Sequence, residues 1–186
     1  MSLTTLDPKT ALVVIDLQNA IVNRPLAHPS AGVVRNARKL ADAFRRHNLP
    51  VVLVNVAATP PGRAEQSKPT TFPPDAVRLV PELGDHPNDM HVTKKSWDAF
   101  ANTGLEDLLR SRDVSQAVLA GIATSIGVES TARTAFALGF NVTLAVDAMT
   151  DMSAEAHENS LKRIFPRLGE TGTASDIVTL LDASRL

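Results

Sequence analysis

Asp16 stands directly behind five consecutive apolar residues, Ala11 to Ile15, and Lys94 closes a second short β-forming stretch, Val92-Thr93. A carboxylate at the end of a buried strand is partly desolvated, which raises its pKa and suits it to proton transfer. An ammonium brought to the same place holds that carboxylate ionised or orients it. Position alone leaves blander readings open: an Asp at a strand end commonly caps a turn, and Lys95 beside Lys94 fits a solvated pair. A third constellation runs from Gly121 to Thr131, GIATSIGVEST, between a predicted strand and a predicted helix. Small residues there let backbone N–H groups approach a ligand, and a helix N-terminus favours negative charge. The segment has neither a phosphate-loop lysine nor a dinucleotide-binding Gly-x-Gly-x-x-Gly. For its hydroxyls, Thr124, Ser125, Ser130 and Thr131, capping and packing are the stronger reading and a nucleophile the weaker.

These residues are held by a regular alternation of short apolar runs and longer amphipathic stretches. Ala11–Ile15 is continuously apolar and branched, as in a strand buried on both faces. Val33 to His47 carries apolar residues at 33, 37, 40, 41 and 44, the stripe of an amphipathic helix. Val51–Val56 is the second strand, and the Pro-rich stretch from Ala57 to Asn88 reads as a long surface excursion. Val92-Thr93 is the third strand, with a helix around Leu105–Ser111. Ala117–Ala120 is the fourth, followed by a helix from Ile126 to Leu138 with Gly139 at its C′ position. Val142–Val146 is the fifth strand, ending at Asp147. A helix capped by Ser153 spans 154–164, residues 167–171 form a sixth strand, and Ser175 caps a last helix. Repeated strand–helix–strand units build a parallel sheet with helices on both faces. Ligands in such sheets lie beyond the carboxyl ends of the strands, which singles out Asp16, Asn55, Lys94, Gly121–Gly127 and Asp147.

Composition narrows the chemistry further. The 186 residues suit one domain, with 44% hydrophobic and 21% charged residues. With 19 basic and 20 acidic residues the formal net charge is -1, so no nucleic-acid or anionic-membrane partner is expected. Cysteine is absent, which excludes disulfides, zinc–thiolate sites and a thiol nucleophile. No basic-then-apolar leader is visible and no apolar run could span a bilayer, so a cytoplasmic protein is expected.

Taken together, ALVVIDLQ (11–18), TKKSWDAF (93–100, continuing through Thr103 and Leu105) and Gly121 through Ala132 resemble the opening strand, the lysine segment and the strand–elbow–helix motif of the isochorismatase-like superfamily. That superfamily also includes nicotinamidases and other amide hydrolases. Order and spacing match along nearly the whole chain. The resemblance implies a three-layer α/β/α, Rossmann-like fold around a parallel six-stranded sheet, strand order 3-2-1-4-5-6. It implies Asp16, Lys94 and Gly127 as the catalytic positions, with Lys94 preferred to Lys95 because Trp97 and Ala99-Phe100 then fall in register. It further implies substrate contacts from Gln18, Trp97, Phe100 and the N–H groups near Ala123 and Gly127, a cis peptide at Ile122–Ala123, and a homo-dimer or homo-tetramer. For Trp97 and Phe100, core packing is the default reading beside a pocket role.

The chain departs from the family's amide hydrolases at one decisive position: Gly127 replaces their cysteine nucleophile. Isochorismatases proper resemble this chain there and cleave a vinyl ether without a covalent intermediate. That resemblance implies that Asp16 protonates the vinyl carbon and water captures the cation, with Lys94 positioning Asp16. The metal cluster of nicotinamidases is expected in the loop after strand two, but residues 55–72 contain no His, so neither metal nor other cofactor is expected. The elbow reads Ala-Thr-Ser-Ile-Gly rather than the Tyr-Ala-His type of true isochorismatases. Arg24, Arg63 and Arg133 are available to a carboxylated substrate, although Arg is more often an exposed ion-pairing residue. Glu129 has no assigned role, and His157 is read as structural. The competing expectations are a non-covalent hydrolase of a small enol ether and a degenerate homologue that binds a metabolite or serves as an oligomeric interaction protein. Hydrolysis through Ser125 or a bound water is the least favoured.

Overall fold

Strands β1 (Thr10–Ile15) and β4 (Gln116–Ile122) are buried along their whole length in the computed structural model, which describes residues 3–65 and 70–184. Continuous burial of that kind needs a neighbour on both edges and a helix layer on both faces. β1 has both, pairing in parallel with β2 (Val51–Val56) on one side and β4 on the other. Beyond β2 lies β3 (Met90–Lys94); beyond β4 lie β5 (Asn141–Thr150) and β6 (Glu170–Gly172). The order is β3-β2-β1-β4-β5-β6, all parallel.

Parallel pairing obliges each connection to cross a face of the sheet, and the helices make those crossings. On one face α2 (Ser30–Arg46) buries Val33, Ala37, Leu40, Ala41 and Phe44, the stripe expected from its spacing, against Leu12 and Val14 of β1. Ile177 and Leu181 of α7 (Ala174–Ala183) join them. The alternate β1 residues, Val13 and Ile15, point to the other face. There Leu105 and Leu109 of α4 (Leu105–Arg110) and Ala132 and Ala135 of α5 (Glu129–Ala137) complete a second core. Each large apolar side chain buried in these layers contributes roughly 1.5–3 kcal/mol.

Several boundaries differ from the sequence-based expectation. β5 does not stop near Asp147 but runs to Thr150, because its pairing with β4 shifts register between Leu119/Leu144 and Gly121/Met149. Asp147 therefore lies within β5, half-buried, where its Oδ1 accepts from the N–H of Ala174 at 2.6 Å and so fixes the start of α7. That helix is capped by Thr173 in a reciprocal capping box with Asp176, rather than by Ser175, which lies inside its first turn. Ser153 does cap α6 (Ala154–Asn159), and Gly139 does take positive φ, 82°, behind α5. The chain after Ser160 continues α6 as a wider π turn to Ile164. Within the 57–88 excursion lie α3 (Pro74–Val77), a 3-10 turn at Pro81–Leu83 and an antiparallel bridge from Leu79 to Gln18; α1 (Asn19–Val22) follows Gln18 directly.

At the amino ends of the strands the Arg45 guanidinium meets the Asp89 carboxylate at 2.6 Å, with side-chain exposures of 9% and 1%. Arg45 also donates to Asp42 and to the carbonyl of Leu83. Removing one partner of such a pair leaves a buried charge uncompensated. Asp89→Ala is expected to lower the unfolding free energy by about 3–5 kcal/mol, read from urea denaturation midpoints. An open cleft of about 810 Å³ flanks this pair, lined in part by Lys9, Pro50, His86 and Arg112. It lies at the end of the sheet opposite the residues discussed next. Among the described residues no helix is long and apolar enough to cross a membrane.

Candidate active site

The carboxyl ends of β1, β3, β4 and β5 converge on Asp16. Its backbone sits in the left-handed region, φ 55°, which Asp tolerates better than most residues and which turns the chain sharply out of β1. The Asp16 N–H still donates to the carbonyl of Val54, so the residue is pinned to β2 while its side chain stays at the strand end. Lys94 arrives from two strands away, across β2, and places its Nζ 2.7 Å from Asp16 Oδ2. Two strand spacings amount to about 9–10 Å at the backbone, a gap the long lysine side chain spans and an Asp alone does not. Nζ also donates to the carbonyl of Ser96 at 3.0 Å. Lys95, the alternative, is exposed.

Both partners are buried, with side-chain exposures of 2% for Lys94 and 7% for Asp16. Burial is the largest influence on Asp16 and pushes its pKa up from 3.8 to about 6, against the lowering pull of the Lys94 charge and hydrogen bond. The second oxygen, Oδ1, is buried without a hydrogen-bond partner. A carboxyl with one oxygen held by an ammonium and the other unengaged is arranged to exchange a proton with something that is not protein. The raised pKa also has a stability consequence. A proton held more tightly in the folded state stabilises the fold fully below pH 3.8, and that contribution is lost as pH rises through about 6. Between pH 4 and 7, Asp16 is expected to lower the unfolding free energy by about 2–3 kcal/mol. Urea titrations of native chain and Asp16→Asn across that range should differ by this slope.

Gly127 closes the site from the β4 side. A Cβ built on it would lie 3.1 Å from Ile15 Cγ2, 3.4 Å from Asp16 Oδ2 and 3.6 Å from the carbonyl of Trp97. The elbow position therefore faces the Asp16 carboxylate directly. The approach depends on Gly121, whose φ of 125° and close contact with β1 admit no side chain: a Cβ there would stand 2.0 Å from the Ile15 carbonyl oxygen. The Ile122–Ala123 peptide is cis. Residues 124–128 form a wide π turn before α5 begins at Glu129, so the helix starts differently from the plain helix expected at Ile126.

Three of the elbow hydroxyls, those of Thr124, Ser125 and Thr131, are engaged. Thr131 Oγ1 donates to the Gly127 carbonyl at 2.7 Å and accepts from the Ala99 N–H, tying α5 to the lysine segment. Thr124 Oγ1 lies 2.8 Å from His157 Nδ1, so His157 is a buried partner of the elbow. Burial and the neighbouring His28 ring, 4.9 Å away, lower the His157 pKa. Ser125 Oγ donates to Asp151 and has no histidine base, which does not support a serine nucleophile. Glu129 accepts from Ser160 and pairs with Arg133, while Arg24 donates back to the Ala20 carbonyl of α1. Arg63 is exposed in the excursion.

Other expected positions fall elsewhere. Gln18 is fully buried and its amide is spent on main chain: Nε2 donates to Val56 and Ala76 carbonyls, and Oε1 accepts from the Val56 N–H. It braces β1 to β2 and to α3 rather than presenting a free group. Asn55 is similarly used, donating to Val77 and accepting from Thr93. Phe100 leaves the site altogether, because the lysine segment runs down α5; its ring stacks on Phe140, 6.0 Å away, behind the amino end of β5. Trp97 stays, its carbonyl against Gly127 and its side chain 57% exposed, contrary to a core role. Asp151, just behind β5, escaped the sequence reading.

Comparison with known proteins agrees with this geometry. The isochorismatase domain model matches residues 10–176. The isochorismatase family protein YwoC of Bacillus subtilis is 46% identical over 180 residues, 91% of this chain and 93% of its own. The structure of an isochorismatase family protein from Burkholderia thailandensis superposes with a TM-score of 0.93 at 40% identity, covering 97% of this chain and all (100%) of that one. A more distant relative is the ureidoacrylate amidohydrolase RutB of Pseudomonas syringae, 29% identical over 92% of this chain and 83% of its own. The six-stranded parallel sheet and the sequence match lead to one assignment: the chain belongs to the isochorismatase family.

Proposed function

We propose that this protein is a non-covalent hydrolase of a small enol-ether metabolite, with Asp16 as the proton donor. The observation that carries the reading is the Asp16–Lys94 pair: a buried carboxyl, titrating near 6, with one oxygen unengaged and a glycine where a nucleophile's side chain would stand. A vinyl ether suits such a site because its carbon accepts a proton directly, giving an oxocarbenium ion that water captures. The carboxylate left on Asp16 then takes the proton that water releases, so the acid is regenerated. The hemiketal so formed collapses as its C–O bond to the leaving alcohol breaks and its hydroxyl proton passes to that oxygen, giving a carbonyl product and the free alcohol. Lys94 keeps the carboxyl in place and neutralises it once the proton has left. Backbone N–H groups near Ala123 and Gly127 hold the substrate's oxygen or carboxylate.

Amide hydrolysis, the activity in the name of RutB, asks for a nucleophile that this elbow does not supply. The deciding experiment is a turnover screen against enol ethers, isochorismate among them, and small amides, with Asp16→Asn as the blank. Turnover of an enol ether that vanishes in Asp16→Asn supports the reading. Tight metabolite binding without turnover favours the degenerate homologue instead.

A further inference from the structure

Asp151, directly behind β5, is 2% exposed. Its Oδ2 accepts from the Ser125 N–H at 2.7 Å and from the Ser125 hydroxyl at 2.8 Å. Its Oδ1 accepts from the Ser153 N–H at 3.2 Å, and its carbonyl from the Ala27 N–H at 2.8 Å. One residue thereby ties together the elbow, the entry to α6 and the segment between α1 and α2. A buried carboxylate is tolerated only where donors satisfy it, so these three segments and Asp151 hold one another in place. Ser125 lies midway between Ala123 and Gly127, so fixing its N–H fixes the turn that carries both of their N–H groups.

We propose that Asp151 is a positioning residue of the active site, clamping the elbow so that its N–H groups stay aimed at the space above Asp16. The carboxylate acts there in two ways of opposite sign. As a clamp it keeps donors directed at a negative charge held at the elbow, such as a substrate carboxylate; losing one aligned hydrogen bond to a charged group typically costs about 10-fold or more in affinity. As a bare charge it opposes the positive end of the elbow helix, an effect of about fivefold or less. The clamp is the larger, and the two predict opposite shifts in any anion placed at the elbow.

A thiol introduced by Gly127→Cys is such an anion and needs no substrate. Its pKa, read from the pH dependence of iodoacetamide alkylation, is expected to rise by about one unit when Asp151→Ala is added, as donors lose their aim. Asp151→Asn, which keeps an acceptor for Ser125, is expected to restore it to within about half a unit. Circular dichroism confirms folding of each variant, and Asp151→Ser, polar but too short to reach Ser125, replaces the alanine if that variant does not fold. A pKa that is unchanged or lower in Asp151→Ala overturns the proposal. The second arm rests on the enol-ether reading, in which the elbow holds the substrate's carboxylate: Asp151→Ala in the native background should lower kcat/KM about 10-fold or more, mainly through KM, and Asp151→Asn should recover most of it. An unchanged kcat/KM also overturns the proposal. If native chain turns over no substrate, the reading of the reaction fails while the thiol pKa still decides the role of Asp151.

Discussion

Asp16→Asn is expected to turn over an enol ether at least about 100-fold more slowly than the native chain, with KM nearly unchanged. Asn keeps the size of Asp and also tolerates the left-handed backbone at this position, φ 55°, so the substitution removes the proton and little else. The same assignment fixes a pH profile. An acid that must carry its proton loses activity as pH rises through its pKa, about 6 here, by roughly tenfold per unit above it. Lys94 lowers that pKa by charge and by hydrogen bond. Lys94→Ala should therefore move the limb to higher pH while lowering the maximal rate through loss of positioning. Steady-state kinetics from pH 5 to pH 9 separates these outcomes. A rate that climbs with pH through 6 would make Asp16 a base, and equal activity in Asp16→Asn would remove it from the mechanism.

The second large effect belongs to Gly127→Cys. The new Cβ meets Ile15 Cγ2 at 3.1 Å, so the Ile15 methyl must yield by a few tenths of an ångström, and it touches Asp16 Oδ2 at 3.4 Å. The elbow's N–H groups and Lys94 both favour thiolate there, while ionised Asp16 opposes it. Because Lys94 already neutralises Asp16, the thiol pKa is expected about two units below the free value of about 8.5. At pH 7 that raises the thiolate fraction from about 3% to about 75%, and the lower intrinsic nucleophilicity takes back roughly sixfold. The net expectation is alkylation about fourfold faster than a free thiol at pH 7, and a clear inflection near 6.5 in its pH profile. Adding Asp16→Asn should lower the inflection further. An ordinary thiol pKa would mean that position 127 does not face the Asp16–Lys94 pair.

The parts of this molecule legible in its sequence are those where one physical requirement dominates. β1 and β4 announce themselves because burial on both faces favours a nearly continuous run of apolar residues. Asp16 is legible because a carboxylate cannot follow such a run without consequence, and α2 because its stripe is long and clean. What stayed hidden depends on pairing between distant segments. The register shift that carries β5 on to Thr150 is set by β4, and it moves Asp147 away from the site and brings Asp151 in. No local pattern in AVDAMTDM distinguishes the two acids. Phe100 and Trp97 were alike in sequence terms; only the direction of the lysine segment along α5 separates a core ring from an exposed one. Gln18 shares its neighbourhood with Asp16, yet three main-chain partners absorb it.

The central place of β1 in the sheet has a consequence for biosynthesis. As the nascent chain emerges, β1 can pair at once with β2, but its other edge waits for β4, more than a hundred residues later. Until then a continuously apolar strand offers unpaired N–H and C=O groups along one side, the kind of edge that recruits other chains. The elbow follows β4 directly, so the same late docking that protects the edge also completes the candidate site. Slow translation before residue 122 would therefore lengthen exposure to aggregation, and amino-terminal fragments ending ahead of β4 should be retained by chaperones rather than accumulate as soluble species.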